Sequence, residues 1–201
     1  MASGASTIED VLRAVSAGLE INPMLCLMQC NTNYTASLDN FKFIQLNVLR
    51  VYRQMFPNLV LGLSDHTPGM ATVLGAVSLR ARMIEKHFTD DIRRSGPDHK
   101  FSMDPASWSD MVERTRELEN ALGCGIKQIE DNEKETVIVQ RRAIRAVINL
   151  TAGMTIERDH LTVLRPCPAD ALPPYNLEKL IGKKIQHDVQ KGEHLRWINI
   201  E

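Results

Sequence analysis

Leu59-Val60-Leu61-Gly62-Leu63-Ser64-Asp65-His66-Thr67-Pro68 decides the fold. Its apolar half reads as a short buried strand and its polar half as a strand end. Pro68 starts a helix that carries Ala71, Leu74 and Val77. The same unit recurs on either side. Upstream, Ser6 and Glu9 form a capping-box pattern around Ile8, Val11, Leu12 and Val15, which predicts a helix over 7–18. Met24 to Gln29 reads as a buried strand, and Phe41, Ile44, Val48, Leu49 and Tyr52 predict a helix over 39–55. Downstream, Arg82 to Phe88 is strand-like. Asp104-Pro105 then supplies the cap and first-turn proline of a helix running through Leu122, stopped by Gly123 and Gly125. Residues 1–123 therefore alternate helix and strand, which implies an α/β fold with parallel strands joined by right-handed crossovers, in an open sheet or a barrel.

Residues 124–140 are polar and charged and read as a linker with some helix. From Arg141 the texture changes to short β-rich segments, with a domain boundary expected near residue 140. Leu150-Thr-Ala-Gly-Met-Thr-Ile156 faintly repeats in Val189-Gln-Lys-Gly-Glu-His-Leu195, suggesting pseudo-symmetry in a small second domain. Composition narrows the function. With 24 Lys+Arg against 25 Asp+Glu, the 201-residue chain has no electrostatic case for nucleic acid or an anionic membrane surface. No apolar run reaches the ~18–20 residues of a membrane span, and the N-terminus lacks signal-peptide regions. Cys26, Cys30, Cys124 and Cys167 form neither a zinc pattern nor a disulfide framework, so a cytoplasmic, soluble protein is expected. No P-loop and no Gly-x-Gly-x-x-Gly occurs.

Polar residues gather just after the strands: Asn31 to Tyr34, Ser64 to Thr67, and Glu85 to His87. Strand C-terminal ends are where α/β folds bind ligands. His66 and His87 each end a strand, so both imidazoles can point into one mouth; two imidazoles suit a divalent ion with positions left open. The bland alternative is a pair of hydrogen-bonded loop histidines. Asp65 offers a supporting carboxylate, and Glu85-Lys86-His87 places three titratable groups at one strand end. Asp98 lies in the turn Gly96-Pro97-Asp98-His99-Lys100, where a carboxylate is usually solvated or caps backbone.

Four motifs in order, Cys30-Asn31-Thr32-Asn33-Tyr34-Thr35, Gly62-Leu63-Ser64-Asp65-His66-Thr67, Ile84-Glu85-Lys86-His87-Phe88-Thr89 and Gly96-Pro97-Asp98-His99-Lys100, resemble the sialic acid synthase family, the N-acetylneuraminate synthases. Leu164-Arg165-Pro166 and Leu180-Ile181-Gly182-Lys183-Lys184 look like that family's C-terminal antifreeze-like (SAF) domain. The resemblance implies the C-terminal portion, the last third to half, of a (β/α)8 TIM barrel over 1–123, a linker over 124–140, a SAF domain over 141–201, and a domain-swapped homodimer. It implies condensation of phosphoenolpyruvate with N-acetylmannosamine or a related hexosamine, aided by a divalent metal (Mn or Mg). His66 and His87 would bind the metal, Ser64 the phosphate of phosphoenolpyruvate, and Tyr34 and Asp98 the sugar. Arg165 would reach the partner subunit's site, and Glu85 would orient substrate or move a proton. Where the family often has asparagine, two residues after the cysteine, Thr32 stands here between Asn31 and Asn33, and any of the three is a candidate for phosphoenolpyruvate.

The barrel-like part falls short of the ~200–250 residues that a complete (β/α)8 barrel takes. By the resemblance, Met1 to Thr7 looks like the end of the family's fifth strand. The lysine and acidic residues of the earlier strands would then be absent, which argues against catalysis by this chain alone and for a truncated chain. Three readings compete: a synthase, including a legionaminic or pseudaminic acid synthase; a non-catalytic fragment or subunit that binds a full-length synthase; and a different metal-dependent aldolase or isomerase on the same fold.

Overall fold

A computed structural model describes residues 1–201, which divide into two compact units, Met1–Gly125 and Ile126–Glu201. The first unit runs α1 (Ile8–Ile21), β1 (Cys26–Cys30), a 3-10 turn (Leu38–Phe43), α2 (Val48–Met55), β2 (Val60–Asp65), α3 (Ala71–Ser78), β3 (Met83–Lys86) and α4 (Pro105–Leu122). The strands pair in parallel in the order β1-β2-β3. Beside β1, Met1 to Ser3 lies parallel as well, with the Ser3 N–H on the Met28 carbonyl (3.0 Å) and the Met28 N–H on the Met1 carbonyl (2.9 Å). The α/β class and parallel sheet are as expected from the sequence; the sheet is open, not closed into a barrel.

Side chains alternate across the sheet. Leu27, Leu61, Leu63 and Ile84 face the helices and pack with Val11, Val15, Ile44, Leu49, Tyr52 and Ala76. Val73, Val77, Met103 and Met111 continue this layer between α3 and α4. The opposite face carries Met28, Cys30, Gly62, Ser64, Met83 and Glu85, with Val60 and Met83 exposed at its base. Gly62 is there because the strands come close: a Cβ on it would lie 2.6 Å from the Met83 carbonyl oxygen.

Two local expectations are corrected. The cap of α1 is Thr7 with Asp10, one residue later than the Ser6–Glu9 pattern, because the Ser6 hydroxyl donates to the Gly4 carbonyl. The continuous helix over 39–55 is broken: Gln45 takes a φ of 53° between the 3-10 turn and α2, so the apolar residues are buried by two short pieces. The Asp104 cap with Pro105 at the helix start is present as read.

In the second unit, residues 126–140 contain a 3-10 turn (Asp131–Glu133) and α5 (Lys134–Gln140); then follow β4 (Ala143–Ala146), β5 (Leu161–Leu164), antiparallel to β4, and α6 (Leu177–Leu180). The faint repeat is physical. Leu150 and Val189 exchange both backbone hydrogen bonds at 2.9 Å, and the shift that carries one onto the other maps further bonds onto each other. The Gly153 N–H bonds the Ile185 carbonyl as Gly192 bonds Ala146, and Ile156 bonds Lys183 as Leu195 bonds Ile144. Gly153 and Gly192 both take a left-handed φ, 84° and 87°. The core is Ile144, Leu150, Ile156, Leu172, Leu180, Ile185, Val189 and Leu195.

Candidate active site at the strand ends

The strand register builds the site in two tiers. Cys30, Ser64 and Glu85 are neighbours across β1, β2 and β3, so one row of the sheet brings them together. The Ser64 hydroxyl donates to Glu85 Oε1 at 2.8 Å. Burial pushes the Cys30 thiol above its ordinary 9.0, opposed by its hydrogen bond with Ser64. Cys30 is buried and packs beneath the site.

Above this row stand the two histidines, ring centroids 5.1 Å apart and edge-on. His66 is 4% exposed, and its Nδ1 lies 2.8 Å from the Asn31 carbonyl oxygen. A carbonyl only accepts, so Nδ1 carries the hydrogen and, in the unprotonated ring, Nε2 carries the lone pair. His87 Nδ1 lies 3.6 Å from Asp98 Oδ2. Asp98 is held by its own carbonyl, which accepts from the Ser102 hydroxyl at 2.7 Å, and His99 Nδ1 contacts the Thr89 hydroxyl at 2.7 Å. Tyr34 leans on the His66 ring at 4.2 Å, and Phe101 meets His87 at 5.0 Å and His66 at 6.2 Å.

Of the residues singled out in the sequence, Ser64 and Glu85 therefore meet in one row, and Tyr34, His66, His87 and Asp98 gather just beyond it at the strand ends. Of the three asparagine-position candidates, Asn31 orients His66 through its main chain, and Asn33 donates to Asn40 Oδ1. Thr32 packs its methyl where a Gly4 side chain would stand. Arg165 is exposed and belongs to the second unit. Asp65 is not the carboxylate behind His66, as the sequence suggested. It faces the helix side, where Lys86, Thr67 and Thr72 hold it, and the Asn31 carbonyl takes that place. Phe101 had no sequence signal beyond its position after the Asp98 turn. Elsewhere, Glu157, Asp159 and His160 approach within 4.8 Å, but His160 Nδ1 accepts the Glu157 N–H and both carboxylates are exposed, as in an ordinary capped turn.

Residues 1–127 match the NeuB family. The chain belongs to the NeuB family. Residues 141–201 of this NeuB-family chain match the SAF domain. It is 32% identical over its full length to the N,N'-diacetyllegionaminic acid synthase of Legionella pneumophila, covering 56% of that protein. It is 28% identical, again over its full length, to the N-acetylneuraminate-9-phosphate synthase of Mus musculus, covering 55% of it. The chain thus spans about half the length of the curated relatives it matches. In fold, it matches a Chromobacterium violaceum structure assigned to spore coat polysaccharide biosynthesis with a TM-score of 0.70 at 20% identity, over all of this chain and 59% of that one. No helix of the NeuB-family chain is long and apolar enough to cross a membrane.

Proposed function

We propose that this NeuB-family chain carries the metal- and sugar-facing part of a nonulosonic acid synthase site. The reaction condenses phosphoenolpyruvate with the open-chain aldehyde of N-acetylmannosamine or a related hexosamine. C3 of phosphoenolpyruvate bonds to the aldehyde carbon, water adds its oxygen at C2, the C2–O bond to phosphate breaks, and inorganic phosphate leaves. The observation that carries this reading is the pair of imidazoles 5.1 Å apart at adjacent strand ends, above the Ser64–Glu85 hydrogen bond.

The donor chemistry, two imidazoles with positions left open, fits a divalent transition ion such as Mn better than Mg, which takes oxygen ligands. His66 has its Nδ1 hydrogen tied to a carbonyl, leaving Nε2 as a ligand atom, and His87 stands beside it. Bound there, the ion would supply Lewis-acid polarisation of the sugar aldehyde. Glu85 Oε1, which now accepts a hydrogen bond from Ser64, is the group that can give a proton to the aldehyde oxygen or take one from the attacking water. Ser64 Oγ is freed to donate to a phosphate oxygen when Glu85 turns to substrate. Tyr34 and Asp98 form the rim for the sugar hydroxyls, and Phe101 keeps water from the back of the imidazoles. Arg165, on the SAF domain, would complete the sugar site of a partner subunit in a domain-swapped homodimer.

The test is phosphate release from phosphoenolpyruvate by the 201-residue chain with Mn and N-acetylmannosamine, alone and mixed with a full-length NeuB-family synthase. Release by this chain, alone or beyond what the full-length synthase gives by itself, is expected to require both sugar and metal and to be abolished by His66→Ala in this chain; such release indifferent to His66, or none in either arm, refutes the reading. The second reading, a non-catalytic subunit of a full-length synthase, is favoured by the open sheet with exposed Val60 and Met83 at its base. It predicts stable complex formation with the full-length enzyme and no phosphate release by this chain alone.

A further inference from the structure

The β2–β3 ladder ends at Asp65 paired with Lys86, one residue before each histidine. The sheet therefore does not hold His66 and His87 together by backbone pairing. A buried polar network on the opposite face does so instead. Lys86 Nζ donates to Asp65 Oδ2 and to the Thr67 carbonyl, both at 2.6 Å. Asp65 Oδ1 accepts from the Thr67 N–H (3.1 Å) and the Thr67 hydroxyl (2.9 Å), while Oδ2 accepts from Thr72 at 2.6 Å in the first turn of α3. Every bond grips a residue flanking His66, and the cation that grips them directly precedes His87. The side chains of Lys86 and Asp65 are 1% and 0% exposed.

Stability alone does not account for such a pair. Desolvating two charges costs enough that apolar replacement of both partners is often neutral or stabilising. We propose that Asp65, Lys86, Thr67 and Thr72 form a positioning device that sets the spacing and ring orientation of His66 and His87. The proposal rests on the reading of the histidines as metal ligands for its purpose, though not for its geometry. Asp65 and Lys86 touch neither histidine ring nor substrate; they act through the backbone at the strand ends.

The test compares wild type with the double variant Asp65→Leu/Lys86→Met, which removes both charges together. Three readouts are taken: the urea unfolding midpoint, long-range 1H–15N spectra of the imidazoles without metal, and Mn affinity by electron paramagnetic resonance. The expected result is a midpoint close to wild type, a mixture of His66 tautomers where wild type shows one Nδ1–H form, and Mn binding weakened by about tenfold or more. A folded double variant with unchanged imidazole spectra and unchanged Mn affinity overturns the proposal, and so does a mixture of tautomers in wild type. Should the double variant fail to fold, Thr72→Val decides. It removes one bond to Asp65, leaves the ion pair, and is expected to shift the same readouts in the same direction; unchanged readouts overturn the proposal. If wild type binds no Mn yet its single tautomer is lost in the double variant, the metal reading fails and the positioning role stands.

Discussion

Replacing Gly62 by alanine should loosen the sheet directly beneath the site. The new Cβ would stand 2.6 Å from the Met83 carbonyl oxygen, 3.0 Å from Met28 Cγ and 3.2 Å from Met83 Cβ. The methionine side chains can swing aside, but the carbonyl belongs to the paired strand, so β2 and β3 must move apart. Overpacking of this kind costs up to about 3 kcal/mol. Restricting the unfolded chain at a former glycine returns up to about 1 kcal/mol, leaving a net loss of about 2 kcal/mol. For a unit of this size that lowers the melting temperature by about 8 °C. The control is Gly69→Ala, where φ is 73° and nothing lies within 4 Å of the added Cβ. Its cost is dihedral strain alone, about 1 kcal/mol. Thermal unfolding followed by circular dichroism separates the two. If Gly62→Ala melts at or above Gly69→Ala, the close approach of the strands is not what the geometry says it is.

In the second unit, Gly153→Ala and Gly192→Ala should destabilise by nearly the same amount, about 1–2 kcal/mol each, since both glycines are left-handed, uncrowded and related by the internal repeat. Urea titrations differing by much more than that would show the pseudo-symmetry to be superficial. A pH dependence follows from the carboxylates. Asp10 is held below its ordinary 3.8 by the Thr7 backbone N–H, Asp104 by the Ser107 hydroxyl and N–H, and Asp170 by the Arg196 guanidinium. A lowered folded-state value means the unfolded chain binds protons first. The stabilisation is therefore complete above about pH 4 and lost as pH falls through the folded values. Unfolding midpoints measured from neutral pH downward should stay flat and then drop, less steeply in high salt because these groups are exposed; a midpoint rising below pH 4 would contradict the assignment.

The sequence carried the strand–turn–helix order because the apolar runs of β1 and β2 and the cap at Asp104 are local signals. It could not show the break at Gln45, since Phe41, Ile44, Leu49 and Tyr52 keep helical spacing whether or not the chain between them is helical. His66, His87, Ser64 and Glu85 were legible because chemistry-bearing residues at strand ends converge by topology. The Asn31 carbonyl was not, because a main-chain acceptor leaves no mark in the residue type. Phe101 was not, because its contact with the histidines closes across a loop. Asp65 could have been placed correctly: strand alternation puts it on the face opposite Ser64 and His66.

The two rings beside the histidines are set very unequally. Phe101 is 2% exposed, whereas Tyr34 is 55% exposed on a segment, 31–37, with no regular structure. That same segment orients His66 through a peptide carbonyl, which every amino acid possesses. Substitutions along it can therefore rewrite the entrance while the imidazole keeps its anchor. One wall of the site is fixed by packing and the other is not, so the entrance can be altered without disturbing the buried groups beneath it.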